Sequence, residues 1–271
     1  RPRFATNAFK TNYSKKVLIS YLIEPFIADK IPLNHTGYTE CYTAAKIFNN
    51  LGYQVDVVNW REKIQLNYNE YDIIYGLGEA FERVFYSENA ERILKIAYAT
   101  GCCHFYVNKH SVKRVAGFYK RHGKIIPQSS RILPGFRHLQ HCLSDLIIVL
   151  GNNYTANTFK STSANNNVRT INSFYFKSQN ITIDDKDIEQ IKKNFMWFGS
   201  NGLIHKGLDL LLDFFKEHTE YTLHICGASS SERIFFEHYN NELLGKKPNI
   251  INHGFVDIDS KKFKNILVQC C

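Results

Sequence analysis

A glycine-rich loop with one lysine, 199–207, is the strongest candidate in the sequence for chemistry on an anion. It leaves a short apolar segment and enters a strongly amphipathic one. The small residues Gly199, Ser200 and Asn201 let backbone N–H groups approach an anion, and the N-terminus of a following helix adds partial positive charge. Lys206 is a mobile cation for phosphate oxygens. The spacing is not that of a P-loop, and an ordinary strand-to-helix turn with a solvated lysine fits equally well.

Two other loops contain glycines at predicted strand ends. In 35–40, Gly37 permits close approach of a ligand, and Thr36 or Thr39 is a candidate cap for the next helix. A simple capped turn is the preferred interpretation there. The segment 76–79 reads Gly-Leu-Gly-Glu and lacks the third glycine of a dinucleotide fingerprint. A nicotinamide oxidoreductase is therefore disfavoured.

Candidate acids and bases follow predicted strands. His110 comes after a predicted fourth strand and Glu79 after the third, where either could act as a general base or position an acceptor. A solvated histidine in a basic stretch is the simpler interpretation of His110. His253 is open to the same alternative, packing at a strand end.

The elements that must position these residues alternate along the chain. Strands are predicted at 16–22, 54–60, 71–75, 103–107, 145–150 and 168–172, and helices at 39–50, 88–100, 111–121, 136–142 and 153–160. After a polar stretch with a short helix at 185–192, strands are predicted at 194–198, 221–226 and 249–252, and helices at 208–218, 231–244 and 260–271. This alternation predicts an α/β fold with parallel sheets in two Rossmann-like lobes. We expect lobes at 13–176 and 194–271, joined by a linker at 177–193.

The charge of this 271-residue chain is concentrated in one segment. The net charge is +9, yet residues 92–144 contain no Asp or Glu and hold ten Lys and Arg, leaving 24 basic against 25 acidic residues elsewhere. The apolar content of 44% excludes general disorder. No apolar run approaches the length of a spanning helix. Seven cysteines without a Cys-x-x-Cys pair predict reduced thiols in a cytosolic protein and no metal site.

The second lobe resembles a known family. The segments NFMWFGSNGLIHKGLDLLLDFF, YTLHICG and NIINHGFVDIDSKKFKNI are similar to the donor lobe of GT-B glycosyltransferases of family 4, also called group 1. In that family a strand ends in Gly and a loop leads to Lys-Gly. A Leu-rich helix, a second strand ending in Gly and a Gly-Phe/Tyr-Val turn follow. Lys206-Gly207, Gly227 and 254–256 occur in that order. The first lobe is similar only in architecture, as an acceptor lobe.

The resemblance implies roles for individual residues. Lys206 would bind the diphosphate of a UDP- or GDP-linked sugar and balance leaving-group charge, and His110 is the second catalytic candidate. The remaining predicted donor contacts are Gly37, Gly199, Ser200, Asn201, Gly227, His253, Gly254, Phe255 and Val256. Such enzymes need no metal ion, are mostly retaining, and use the nucleotide-sugar as co-substrate without another cofactor.

Two departures qualify the resemblance. Asn201 occupies the position where family members often carry Arg, with His205 as a partial substitute. The family's paired-Glu motif would lie beyond Cys271, so we expect a chain truncated within its donor lobe and inactive by itself. The alternatives are a non-catalytic binding module, which Asn201 favours, and a sugar-nucleotide epimerase or a phosphorylase of the same fold.

The basic segment predicts a surface on the acceptor lobe. Its candidate residues are Lys109, Lys113, Arg114, Lys120, Arg121 and Lys124. Such a patch would attract an anionic lipid surface or a phosphate-bearing glycan, lipid or protein acceptor. We therefore expect a cytoplasmic protein, peripheral at the inner membrane face. A solvated face without a partner is the alternative, and nucleic acid is disfavoured because no recognition motif accompanies the charge.

Overall fold

The computed structural model describes residues 4–31, 35–133, 138–175 and 186–270. The chain forms two compact units, Arg1–Tyr106 with Leu133–Phe176, and Val107–Ile132 with Lys177–Cys271. The sequence placed 107–132 in the first lobe. The structure groups this segment with the second unit, because Phe118 and Ile126 are fully buried in the second unit's hydrophobic core. Arg137 and parts of the predicted linker and of the predicted helix 136–142 lie outside the described residues.

In its described residues, the first unit contains seven strands, five α-helices and the start of a sixth. The strands are β1 Phe4–Ala5, β2 Lys15–Tyr21, β3 Tyr53–Asn59, β4 Ile73–Gly76, β5 Leu94–Ala99, β6 Leu146–Leu150 and β7 Val168–Ile171. The helices are α1 Glu24–Ile27, α2 Thr36–Asn50, α3 Glu79–Glu82, the start of α4 His104–His122, α5 His138–Cys142 and α6 Asn153–Asn157.

The first sheet has the order β1-β3-β2-β4-β5-β6-β7 and is parallel except for β1. Strand β2 pairs with β3 on one side and with β4 on the other, aligning Val17 with Val55 and with Ile73. Val17, Leu18 and Ile19 are fully buried, as expected for a central strand covered on both faces. The strand order reverses at β2, and the carboxyl ends of β2 and β4 lie at that switch point.

The second unit is built on a three-stranded parallel sheet in its described residues. It contains α7 Ile188–Ile191, β8 Asn194–Phe198, α8 Leu208–Glu217, β9 Thr222–Cys226, α9 Arg233–His238, α10 Asn240–Leu243, β10 Ile250–Gly254 and α11 Lys261–Gln269. The sheet order is β10-β9-β8. In α8, Leu208, Leu212 and Phe215 repeat at helical spacing and are buried.

Two predicted elements were wrong. Residues 94–99, predicted as helix, form strand β5, although Leu, Lys and Ala in this segment favour helix. Pairing with β4 and β6 on both sides outweighs that preference. Residues 103–107, predicted as strand, belong to α4 from His104 onward, because β5 already fills the sheet position. The predicted helix 231–244 divides into α9 and α10.

The predicted fold class is confirmed: both units are α/β with parallel strands, in two Rossmann-like lobes. Helices follow most strands and return the chain to the same end of the sheet, as in doubly wound folds. Among the described residues, none of the helices combines the length and the apolar character needed to cross a membrane.

Candidate functional site

Three glycines meet at the carboxyl ends of β8, β9 and β10. The backbone N–H of Gly199 donates to the carbonyl oxygen of Cys226 at 3.0 Å, and that of Gly227 donates to Gly254 at 2.6 Å. A Cβ on Gly227 would lie 2.0 Å from the carbonyl oxygen of Gly199, and Gly227 has a φ of +92°. Close backbone packing therefore explains Gly227 without a ligand. The same packing brings the predicted loop and the predicted turn together within one unit.

Lys206 lies over the beginning of its own loop. Its Nζ donates to Ser200 Oγ at 2.7 Å, and its carbonyl oxygen accepts from Trp197 Nε1 at 3.2 Å. Partial burial lowers the pKa of Lys206, and the positive charge of Arg131 lowers it further, while Glu232 opposes them. An anion bound beside Lys206 would favour the charged form of its amine and so oppose both of these pKa-lowering effects.

Arg131 is the second cation at the loop. A Cβ built on Gly202 would lie 2.7 Å from Arg131 Cγ, so the arginine stem packs on the backbone of Gly202. Its charge lowers the pKa of both His205 and Lys206, and the Arg131 side chain is exposed. In the sequence, Arg131 is one of the ten basic residues of the segment 92–144. Seventy-five residues separate it from Lys206, so no local pattern could have joined them.

Glu232 holds the other side of the loop. Its carboxylate is 5% exposed and accepts from the backbone N–H groups of Gly202 and Leu203, the latter at 3.2 Å. These two N–H groups are therefore already paired with a protein anion. Sequence reasoning missed Glu232, because a single acid before a short helix carries no spacing signal. The exposed part of the loop, Ser200 and Asn201, remains open to a ligand.

His205 is a poor substitute for the missing arginine. Its Nδ1 lies 3.2 Å from Ser111 Oγ, and burial lowers its pKa, followed by the charges of Arg131, Lys206 and Arg114. The imidazole is thus kept neutral near pH 7. Arg131, in contrast, carries positive charge beside the loop.

The residues of the predicted turn 253–256 differ in their burial and contacts. The ring of His253 stacks on that of His224 with 5.3 Å between centroids, and His253 Nε2 lies 3.0 Å from His224 Nδ1. Phe255 is 88% exposed, whereas Val256 is buried in a small cluster with Phe263. Val256 is therefore a core residue. Phe255 is the member of the turn that is open to a ligand.

Gly37 has a structural role in the first unit. It lies in the first turn of α2, and its N–H donates to His35 Nδ1 at 2.9 Å, so His35 caps the helix and the predicted caps Thr36 and Thr39 were wrong. A Cβ on Gly37 would lie 2.8 Å from the Tyr21 hydroxyl. This hydroxyl donates to the buried Glu40 carboxylate at 2.9 Å. The capped turn accounts for the glycine.

The Gly-Leu-Gly segment after β4 is also explained by packing. A Cβ on Gly76 would lie 2.1 Å from the Ser20 carbonyl oxygen, and one on Gly78 2.2 Å from that of Trp60. Glu79 accepts from Arg83 Nε at 3.1 Å on the next helical turn. Nothing in these contacts points to a dinucleotide.

His110 does not follow a strand. It lies within α4, where its side chain is exposed. The strand-end argument for its role is therefore wrong, although a part in catalysis stays a prediction. Its place in the helix puts it on the same element as the predicted basic patch.

The basic patch is divided between two faces of α4. Arg114 donates to the Ile204 carbonyl oxygen at 2.9 Å and to Asp209 at 2.6 Å. Arg121 pairs with Asp209 and with Asp213, the latter at 3.1 Å. These two arginines hold α4 against α8 inside the second unit. The exposed remainder is Lys109, Lys113, Lys120 and Lys124.

The chain is therefore an α/β protein whose second unit contains a candidate anion-binding loop, 199–207. No protein-family model and no curated protein matches the chain. Similar solved structures include Anabaena HepE (Alr3699) in complex with UDP, which is 12% identical with a TM-score of 0.44, over 94% of this chain and 72% of that one. TarM is 13% identical with a TM-score of 0.37, over 73% and 34% of the two chains.

A mutant of S. aureus TarM in complex with Fondaparinux, alpha-GlcNAc-glycerol and UDP is 14% identical, with a TM-score of 0.34, over 68% of this chain and 33% of that one. The chain thus spans about a third of the length of the TarM chains. Because each of these three TM-scores is below 0.5, the fold of this chain is argued from its own strand order.

Proposed function

We propose that the second unit binds the diphosphate of a nucleotide-sugar at the loop 199–207, as the donor side of a glycosyltransferase. The observation that carries the proposal is the pair of cations, Lys206 and Arg131, set around a glycine-rich loop at the carboxyl end of a parallel sheet. This is the end at which doubly wound sheets bind ligands. The resemblance of this unit to family 4 donor lobes supports the same assignment.

The chemistry follows from charge. When the bond between sugar and diphosphate breaks, negative charge grows on the departing phosphate, and fixed cations lower the barrier. Lys206 and Arg131 would supply that charge, so the proposed reaction needs no metal ion. Ser200, which already accepts a hydrogen bond from Lys206, would be displaced by a phosphate oxygen. A retaining outcome and a UDP or GDP donor belong to this proposal.

Calorimetric titration of the chain with UDP, GDP and inorganic phosphate tests the proposal. We expect a nucleoside diphosphate to bind and Lys206→Gln to weaken that binding about tenfold, which is about 1.4 kcal/mol. Lys216→Gln is the matched control, because Lys216 is an exposed lysine at the end of the helix that follows the loop. Equal affinities for the Lys206 and Lys216 variants would refute the assignment.

A non-catalytic binding module is the second candidate. The pairing of Gly202 and Leu203 with Glu232 favours it, since two loop N–H groups are already occupied by a carboxylate. Addition of the matching nucleotide-sugar separates the two candidates. Release of free or transferred sugar would support the enzyme. Preference for inorganic phosphate over nucleotide would instead favour a phosphorylase.

The exposed face of α4 supports a separate proposal of peripheral attachment to an anionic membrane. Lys109, Lys113 and Lys120 share this helix with Val112 and Tyr119, which are 54% and 52% exposed. Positions 109, 113 and 120 lie on one face at helical spacing. Each cation near an anionic surface contributes about 1 kcal/mol, and the exposed apolar side chains would enter the interface.

A further inference from the structure

A cysteine and two histidines come together inside the first unit. Cys103 and His104 lie at the start of α4, and His141 lies in α5. Their side chains are 0%, 0% and 6% exposed, and one ligand atom from each lies within 4.8 Å of the others. All three residues belong to the same compact unit, so their proximity does not depend on how the two units are arranged.

We propose that Cys103, His104 and His141 bind a single Zn²⁺ ion. A thiolate with two imidazoles is a ligand set that zinc favours over Mg²⁺ or Ca²⁺, which prefer oxygen. The site is independent of the nucleotide loop. Its role would be structural, because the ion would join the beginning of α4 to α5 across 37 residues of chain.

The geometry is close to that of a metal site. His104 Nδ1 and His141 Nδ1 are 2.8 Å apart. Bond lengths of about 2.0–2.1 Å in a tetrahedron place two ligand nitrogens about 3.3 Å apart, so the rings need to separate by only about half an ångström. For both Nδ1 atoms to bind, the hydrogen between them moves to an Nε2 atom. The Cys103 thiol releases its proton to solvent as the Zn–S bond forms.

Neighbouring groups already hold the three ligands in place. The backbone N–H of Cys103 donates to Thr158 Oγ1 at 2.9 Å, and Cys103 Sγ lies 3.5 Å from Thr162 Oγ1. The His138 ring stacks on His104 at 4.9 Å between centroids, with 7° between planes. Such outer contacts orient ligands and limit the reorganisation that binding requires.

The fourth position would be filled by water or by a second thiol. Cys142, which directly follows His141 at the end of α5 and is half-buried, is the candidate second thiol. The cobalt spectrum distinguishes the two cases, because its thiolate-to-cobalt band is stronger with two sulfur ligands.

The test uses the full chain, reduced and stripped with a chelator. We expect about one equivalent of Zn²⁺ to bind against a competing chelator and to raise the melting temperature. Co²⁺ should give the visible bands of a tetrahedral site together with a thiolate charge-transfer band. No retained zinc in the unchanged chain, or a cobalt spectrum without a thiolate band, would overturn the proposal, whatever the variants do.

Variants locate the ligands. Cys103→Ser and His141→Gln should each lose the zinc equivalent and the melting-temperature increase while keeping the far-ultraviolet dichroism of the parent. Cys41→Ser and His218→Gln are the matched controls, a buried thiol of another core cluster and a surface histidine, and should keep both. Retention of zinc by folded Cys103→Ser or His141→Gln would place the ion elsewhere in the chain and leave the two histidines as a hydrogen-bonded core pair.

Discussion

The carboxylate of Glu232 accepts a hydrogen bond from the backbone N–H of Leu203 at 3.2 Å. With the bond from Gly202, this contact fixes the middle of the loop that carries Lys206. A buried anion thus defines the shape of a cationic site. We therefore expect a change at Glu232 to alter both the stability of the second unit and the proposed anion binding by the loop.

Glu232→Ala should lower the free energy of unfolding by about 1–3 kcal/mol, because two buried N–H groups lose their acceptor. Urea denaturation measures the change. Glu237→Ala is the control, since its carboxylate is exposed and paired with Arg233 within a helix. A Glu232 variant as stable as the Glu237 variant would show that water replaces the carboxylate at no cost.

Arg131→Gln should weaken binding of a nucleoside diphosphate about tenfold, which is about 1.4 kcal/mol. It should also raise the pKa of Lys206 by removing a nearby positive charge. Calorimetry gives the affinity, and the ¹⁵N shift of the Lys206 amine followed with pH gives the pKa. An unchanged affinity would remove Arg131 from the site, and an unchanged pKa would place its charge too far from Lys206.

Gly227→Ala should be more destabilising than Gly245→Ala. Both glycines have positive φ, +92° and +81°, a conformation that costs a residue with a Cβ about 1–2 kcal/mol. A Cβ on Gly227 would also meet the Gly199 carbonyl oxygen at 2.0 Å, whereas Gly245 has open space around it. The difference in unfolding free energy between the variants therefore measures the backbone contact alone. Equal losses would contradict it.

The His224–His253 pair predicts a loss of stability in acid. Burial lowers the pKa of both rings, and the positive charge that His224 carries when protonated lowers the pKa of His253 further. In the unfolded chain these histidines have a pKa of about 6.5. Below that pH the unfolded chain binds protons that the folded chain excludes, so the free energy of unfolding decreases as the pH is lowered further. In His224→Asn/His253→Asn this fall between about pH 7 and pH 5 should be shallower. A slope equal to that of the parent would exclude the pair as its source.

The exposed lysines of α4 should control membrane binding. Lys113→Gln/Lys120→Gln should reduce co-sedimentation with vesicles of mixed phosphatidylcholine and phosphatidylserine, with unchanged stability. Arg114→Gln should instead destabilise the protein, because it leaves the buried Asp209 with one fewer partner. Vesicles of phosphatidylcholine alone are the control. Co-sedimentation that is unaffected by the lysine changes or by lipid charge would leave this face as a solvated surface.

Much of the fold follows from local patterns. The apolar run that forms β2 and the helical repeat of Leu208, Leu212 and Phe215 were both predicted close to their observed positions. The candidate loop 199–207 was located for the same reason, since it lies between two such elements. Burial on one or both faces leaves a periodic trace in the sequence.

Local patterns failed where a segment's surroundings decide its conformation. Residues 94–99 contain good helix formers and still form β5, because strands on either side offer hydrogen bonds to both its edges. The predicted basic patch is divided for a related reason. Arg114 and Lys113 are neighbours in sequence, yet one pairs with the buried Asp209 and the other is exposed.

The sequence by itself determined the α/β class, the parallel strands and the glycine loop with Lys206. Only the tertiary structure brought Arg131 to that loop, turned Glu232 toward its backbone and joined Cys103 and His104 to His141. The physical reason is the separation along the chain of the residues that each interaction joins. Periodic burial acts over a few residues and is visible in the chain, whereas ion pairs, buried hydrogen bonds and ligand clusters join residues whose separation only the fold closes.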